Sequence, residues 1–211
     1  MSGSNSPTSG TYGGVIVGVY NIDTGTIDTV VYSGASFGNG GTIAVLAGPG
    51  TLDSSGYAHV NYNGSSVQLK LTGGLTWNNT GTIYQDGQIQ FGAGSLDSAT
   101  FINQAGGTYD LTTGSSQIYA FNPGSYAFIN AGLLEVTGGG SIGEQVPLTN
   151  SGVVTDYNAN VYVSDVASNT GTLQTAGGFM ELQGGVLGGT IQSLSGNIGL
   201  IGTYTAAANT T

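Results

Sequence analysis

The residues able to support acid–base chemistry in this 211-residue chain are eleven carboxylates and one histidine, His59. A nucleophilic triad needs a base, and His59 is the only histidine available for that role. Strand-like alternation places His59 on an outward side beside Tyr57 and Asn61, and no serine near it has the sequence of a nucleophile elbow. We therefore interpret His59 as a surface histidine and predict that the chain is not an enzyme.

The carboxylates are scattered singly, which disfavours glycoside hydrolysis, because that reaction needs two carboxyl groups about 5–10 Å apart. Asp156 and Asp165 are the pair that neighbouring coils of a repeat would bring together, but solvated loop carboxylates are the simpler interpretation. Calcium-loop and phosphate-loop motifs are missing from the sequence, so we predict no metal and no cofactor. A carbohydrate-binding or carbohydrate-active β-helix is an alternative, because 12 Tyr, six Phe and one Trp supply rings that stack on sugars.

The charge balance limits the partners. Lys70 is the single Lys or Arg, and the formal net charge is −10. One cation cannot neutralise a phosphate backbone or an anionic lipid surface, so we predict no nucleic-acid partner and no attraction to anionic membranes. Cysteine is absent, which excludes disulfides and thiolate metal sites. No apolar run reaches the roughly 18 residues of a membrane helix, so we predict no membrane insertion of this segment.

The elements that must position these residues are short strands. Val67, Leu69 and Leu71 alternate with polar neighbours, and glycine, asparagine or aspartate punctuates such runs throughout. This period of two indicates strands with one buried side, and helical periodicity is nearly absent. The sequence therefore predicts an all-β protein.

An imperfect internal repeat carries the fold prediction. The motif is an apolar residue, a spacer, an asparagine, one or two residues, a glycine and an apolar strand, in coils of about 19–27 residues. The pairs that carry it are Asn79 and Gly81, Asn103 and Gly106, Asn130 and Gly132, Asn150 and Gly152, and Asn169 and Gly171.

Such a repeat predicts a right-handed parallel β-solenoid. One coil of short strands cannot bury its apolar side alone, whereas stacked coils bury it and satisfy one another's backbone hydrogen bonds. We expect the asparagines to stack at a corner as a hydrogen-bonded ladder, and the glycines to allow a positive φ there. The side chains expected to point into the coil are those of Leu133, Val136, Val153, Leu173 and Ile191.

The segments NTGTI, FINAGLLEV, ASNTGTLQT and GGTIQSLSG resemble coils of the β-solenoid passengers of bacterial autotransporters and filamentous haemagglutinins. The resemblance covers roughly residues 76–200. It implies a right-handed parallel β-helix, secretion and display on the cell surface. It implies no particular ligand.

We divide the chain into a flexible tether at 1–10, divergent coils or a cap at 11–75, and regular coils at 76–211. The predicted function is that of an extracellular structural or adhesive rod, a segment of a secreted or surface-displayed protein. The alternatives are a self-assembling filament, sheath or matrix subunit and the carbohydrate-binding domain. The expected partners are other copies of the chain, end to end or side by side, or surface glycans or proteins.

Overall fold

The computed structural model describes residues 15–21, 26–33, 35–37, 44–60, 62, 69–94, 96–121 and 124–207. Before Val45, and at positions 141, 142 and 144, it describes the backbone alone. The predicted tether at 1–10 lies outside the described residues. The regular elements that it describes are all strands.

The strands are short, most having three to five residues, and two of eleven residues lie near the C-terminal end. In chain order they are β1 (Val15–Asn21), β2 (Thr26–Ser33), β3 (Ala35–Phe37), β4 (Ala44–Ala47), β5 (Thr51–Ser54), β6 (Tyr57–Val60), β7 (Leu69–Thr72), β8 (Leu75–Asn79), β9 (Thr82–Gln85), β10 (Ile89–Phe91), β11 (Asp97–Asn103), β12 (Thr108–Leu111), β13 (Ile118–Ala120), β14 (Gly124–Asn130), β15 (Leu133–Val136), β16 (Gly140–Glu144), β17 (Leu148–Asn150), β18 (Val153–Asp156), β19 (Ala159–Val163), β20 (Val166–Asn169), β21 (Thr172–Leu182), β22 (Gly185–Leu187), β23 (Thr190–Leu200) and β24 (Tyr204–Ala206).

These strands form three faces. The first face is a ten-stranded sheet in the order β1-β2-β5-β8-β11-β14-β17-β20-β22-β24. The second face runs β3-β6-β9-β12-β15-β18 and the third β4-β7-β10-β13-β16-β19. Both end on the long strands β21 and β23, which bend across the corner between these two faces. The chain visits the faces in turn, which makes the protein a parallel β-solenoid.

The register is parallel throughout the stack, and the exception is β1, which pairs antiparallel with β2. Phe101 lies beside Phe128 of the following coil, and Thr51 lies beside Thr76, so the stack continues across the boundary drawn between residues 75 and 76. The right hand of the coil stays a prediction from the handedness rule for parallel crossovers.

Aromatic side chains fill the middle of the core. Trp77 and Phe101 meet edge to face with ring centroids 5.3 Å apart, and Phe101 lies 4.8 Å from Phe128. Tyr109, from the second face, closes this cluster at 4.9 Å from Phe101. All four rings are buried, because alternation along each strand turns every second side chain inward.

The inward positions are shifted by one residue from part of the prediction. Val136 and Leu173 are buried and Ile191 packs against the core, but Leu133 and Val153 are only half-buried. The prediction for Leu133 and Val153 was wrong, because the first residue after the corner glycine faces outward. In β15 and β18 the inward side chains begin with the second residue of the strand.

Candidate functional site

The five repeat asparagines lie in one buried column where the first face turns into the second. The first four side-chain amides each donate a hydrogen bond to the amide oxygen of the asparagine in the next coil, and the Asn169 amide donates to the Gly188 carbonyl oxygen. The four distances from Nδ2 to Oδ1 are 2.9, 2.9, 2.8 and 2.7 Å, for the steps from Asn79 to Asn103, Asn130, Asn150 and Asn169. Each asparagine is at most 1% exposed, so this ladder belongs to the interior.

Backbone groups and one serine complete the ladder. The Asn130 amide also donates to the carbonyl oxygens of Gly132, at 3.3 Å, and Val153, at 3.1 Å. Ser54 stands at the same register position one coil before Asn79, and its hydroxyl donates to the Asn79 Oδ1 atom at 3.2 Å. The sequence motif missed Ser54, because its coil has serine where the later coils have asparagine.

A column of glycines runs beside the ladder. A Cβ atom on Gly152 would lie 2.2 Å from the carbonyl oxygen of Gly132, so a side chain there would overlap the backbone of the preceding coil. At Gly132, Gly152 and Gly171 the close approach of two backbones requires glycine and φ is not positive, contrary to the expectation from the sequence, whereas Gly189 has a φ of 61°. The column holds Gly56, Gly81, Gly107, Gly132, Gly152, Gly171 and Gly189.

Gly106 lies outside this column, which corrects the predicted pairing of Asn103 with Gly106. Thr108 begins β12 five positions after Asn103, whereas three positions separate the other ladder asparagines from the strands that follow. Gly107 therefore takes the position stacked on Gly81. Gly106 has a φ of 88° and nothing within 4 Å of where its Cβ would lie, so it is a turn residue.

We expect Gly152→Ala to lower the free energy of unfolding by about 2 kcal/mol, because the added methyl group overpacks the stacked backbones. Gly94→Ala is the matched control, since nothing lies within 4 Å of the Cβ position of Gly94. Urea unfolding followed by circular dichroism measures both. Equal stability of the two variants would contradict the close approach.

The outer side of the second face brings together His59, carboxylates and tyrosines that are far apart in the sequence. The His59 Nε2 atom lies 2.7 Å from the Asp86 Oδ2 atom, and the Thr112 hydroxyl donates to the other Asp86 oxygen. The rings of Tyr57 and Tyr84 lie beside this pair with centroids 5.3 Å apart. His59 is partly exposed, in agreement with its outward placement, and it has a carboxylate partner that the sequence did not predict.

Two further carboxylates continue this outer row. Asp110 pairs in register with Glu135 of the next coil, and the Thr137 hydroxyl donates to the Asp110 Oδ1 atom at 2.7 Å. Burial raises the pKa of Asp110, the Thr137 hydrogen bonds oppose the rise, and the charge of Asp86 adds to it. Burial, together with the charge of Asp110, raises the pKa of Glu135.

Asp156 points into the solenoid and not towards Asp165, which is exposed between β19 and β20. Its Oδ1 atom accepts hydrogen bonds from the backbone N–H groups of Asn158, at 3.2 Å, and Ala159, at 2.9 Å. Its Oδ2 atom is buried against Gly178 and has no hydrogen-bond partner. Burial raises the pKa of Asp156, although the two backbone hydrogen bonds oppose the rise.

Asp97 shows the opposite behaviour. Burial favours a higher pKa, but hydrogen bonds from the Thr72 hydroxyl and from the backbone N–H groups of Gly73, Ala93 and Ser98 together lower it. In its ionised form this carboxylate therefore fixes the turns that lead from the third face into the first in two neighbouring coils.

A cavity of about 480 Å³ opens on the outer side of the first face. Its lining includes Tyr126, Pro147 and Asp165. The Tyr126 hydroxyl donates to the Phe121 carbonyl oxygen at 2.7 Å, so this ring is held in the wall. Asp165 is the one carboxylate in this lining.

Within the described ranges, no three histidine, aspartate or glutamate side chains are grouped to hold a metal ion. The described part of the chain also has no helix long and apolar enough to cross a membrane. No protein-family model, curated protein or solved structure matches the chain. What is established is therefore the architecture, a rod-like parallel β-solenoid built on stacked repeats.

Proposed function

We propose that this chain is a rigid rod segment of a secreted or surface-displayed protein, in which it provides reach and spacing. The observation that carries the proposal is the asparagine ladder. It joins consecutive coils through buried hydrogen bonds along the solenoid axis. A fully satisfied buried network of this kind stiffens the core.

The stack has the dimensions of a spacer. Nine parallel strands lie side by side on the first face, from β2 to β24. With neighbouring strands about 4.8 Å apart, this distance is about 40 Å. Contact with other proteins or with glycans would then take place on the outer faces of the rod, such as the row that includes His59 and Glu135. The resemblance of its coils to autotransporter passengers and filamentous haemagglutinins supports an extracellular location.

The location is tested on intact cells of the source organism with an antibody raised against the folded chain. Surface labelling that disappears after mild external proteolysis is the expected result. Labelling that requires permeabilised cells would overturn the extracellular part of the proposal.

The mechanical role predicts an effect of the ladder on force resistance. Asn130→Ala leaves the Asn103 amide and the Asn150 amide oxygen without their side-chain partners, and we expect a loss of about 2 kcal/mol of stability. Single-molecule pulling between the two ends should show a lower unfolding force for this variant. Asn160→Ala, at an exposed asparagine of β19, is the control and should match the parent chain. An unchanged force in Asn130→Ala would contradict the role of the ladder.

A further inference from the structure

Tyr57 and Tyr84 form the one contact between two tyrosine rings within the described ranges. Tyr57 begins β6, and Tyr84 lies in β9 of the following coil, beside His59 and diagonally across from Tyr57. The two ring centroids are 5.3 Å apart, and the ring planes are inclined by 44°. Tyr57 is 49% exposed and Tyr84 is half-buried. Two phenol rings of neighbouring coils are therefore in contact on a side of the rod that reagents can reach.

A proton acceptor stands beside both rings. The centroid of the His59 ring lies 6.2 Å from that of Tyr57 and 6.5 Å from that of Tyr84, with the planes close to perpendicular. The His59 Nε2 atom lies 2.7 Å from the Asp86 Oδ2 atom, and the Thr112 hydroxyl donates to the other oxygen of this carboxylate. When Nε2 carries the proton that is donated to Asp86, Nδ1 is left as the acceptor. A base held by a carboxylate therefore adjoins two phenols.

We propose that one-electron oxidation joins Tyr57 and Tyr84 into a dityrosine, a covalent link between two coils. The oxidant is hydrogen peroxide activated by a haem peroxidase. Each phenol loses one electron to the oxidant and its hydroxyl proton to His59 or to water. A carbon–carbon bond then forms between the two ring positions ortho to the oxygens, and the two hydrogens at those positions move to the oxygens as protons. In all, the pair loses two hydrogen atoms, and one peroxide takes them up to become two water molecules.

The fold favours this pair over other couplings. Because the solenoid holds the two rings in contact, their coupling is intramolecular and needs no encounter between chains. The net charge of −10 opposes the approach of a second chain. Tyr109 is 1% exposed and packs against Phe101 and Phe128, so it is shielded from the oxidant and has no tyrosine beside it.

The link would brace the rod from its outer side. It ties β6 to β9 across one coil, and in the unfolded chain it closes the loop of residues 57–84. Closing a loop removes conformational freedom from the unfolded chain, so we expect the oxidised chain to unfold at a higher urea concentration than the untreated chain. This inference goes beyond the proposed spacing role and does not depend on where the chain is located.

The position of Lys70 gives a direct test. Lys70 is the only Lys or Arg and lies between Tyr57 and Tyr84 in the sequence, so trypsin cuts the unfolded chain once, into residues 1–70 and 71–211. The full chain is treated at pH 7 with hydrogen peroxide and a haem peroxidase, then unfolded in urea and digested. We expect the two fragments to stay joined at the size of the parent chain and to show the blue fluorescence of dityrosine. Fragments of the untreated chain should separate.

Three substitutions locate the link. Tyr57→Phe and Tyr84→Phe should each lower the yield of joined fragments at least about tenfold, because only one phenol of the contacting pair remains. Tyr62→Phe is the matched control and should leave the yield unchanged. Tyr62 is 53% exposed and lies on the same fragment as Tyr57, but it has no tyrosine ring beside it within the described ranges. All three variants should keep the β-type circular dichroism spectrum of the parent.

His59→Ala tests the proton acceptor. We expect a severalfold lower initial rate of joining, and imidazole added to the buffer should restore the rate, which a merely structural role of His59 would not allow. An unchanged rate in His59→Ala would remove His59 from the proposal. Fragments that separate after oxidation, joining that survives Tyr84→Phe, or joined species found only above the size of the parent chain would each overturn the proposed link.

Discussion

Leu173→Asp is expected to destabilise the rod by about 4 kcal/mol or more, because it places an unpaired carboxylate in the middle of the core. Leu173 is 0% exposed and stacks between Val154 of the preceding coil and Ile191 of the following one. The side chains of these two neighbours have no hydrogen-bond donor. The new carboxyl group would therefore be protonated rather than stay charged. Thermal unfolding at neutral pH, followed by circular dichroism, measures the loss.

Leu194→Asp is the control for this substitution. It has the same chemistry, but Leu194 is 64% exposed, so we expect a change within about 0.5 kcal/mol. If the two variants unfold at the same temperature, the inward register of the second face is wrong. If both unfold far below the parent chain, added negative charge and not burial controls stability.

The fold was predictable because the same sequence motif returns in each coil. Asn130 and Gly132, followed by alternating apolar residues, mark one corner and one strand, and the same marks return in the next coil. The stacking of Asn150 in the column can be predicted from the repeat alone, since identical corners stack on one another. The inward phase was harder to predict. Whether Leu133 or Leu134 faces the core depends on where the corner ends, and one residue reverses the answer.

The outer row was not predictable from the sequence. Asp86, Asp110 and Glu135 are about one coil apart, and irregular coil lengths hide that they share one side of one face. Gly107 shows the same difficulty at a corner, because a two-residue insertion moved the stacked glycine away from Gly106. Register decides both cases, and only the structure supplies it.

The carboxylates inside and on the second face give the rod an unusual dependence on pH. The pKa values of Asp110, Glu135 and Asp156 are raised in the folded chain, mainly by burial. The folded state therefore binds protons at pH values where the unfolded chain has released them. The stabilisation is complete below the unfolded pKa values, 3.8 for aspartate and 4.5 for glutamate, and it is lost as the pH rises through the folded values.

One group acts in the opposite direction. The pKa of Asp97 is lowered in the fold, so its stabilisation is present above 3.8 and is lost as the pH falls through the folded value. Three raised groups against one lowered group predict that the free energy of unfolding increases from pH 7 towards about pH 4 and decreases again in stronger acid. Most proteins with paired carboxylates lose stability over the first of these ranges.

Asp156 should contribute the largest part of this dependence, because its Oδ2 atom is buried without a partner and its charge cannot be shared with solvent. A buried carboxylate oxygen without a hydrogen-bond partner disfavours the charged form, and protonation removes that cost. Asp156→Asn keeps an oxygen for the N–H groups of Asn158 and Ala159 but cannot ionise. We therefore expect this variant to lose most of the rise in stability between pH 7 and about pH 4.

Urea unfolding at several pH values measures the dependence for the parent chain and for each variant. Asp165→Asn is the control, because it removes the same charge from an exposed carboxylate and should keep the slope of the parent. If Asp165→Asn flattens the slope as much as Asp156→Asn does, general repulsion among the carboxylates governs stability. If the parent chain loses stability steadily from pH 7 downwards, the pKa values of these carboxyl groups are not raised in the folded chain. A rise in the parent that is missing only in Asp156→Asn would locate the effect at the buried carboxyl group beside Gly178.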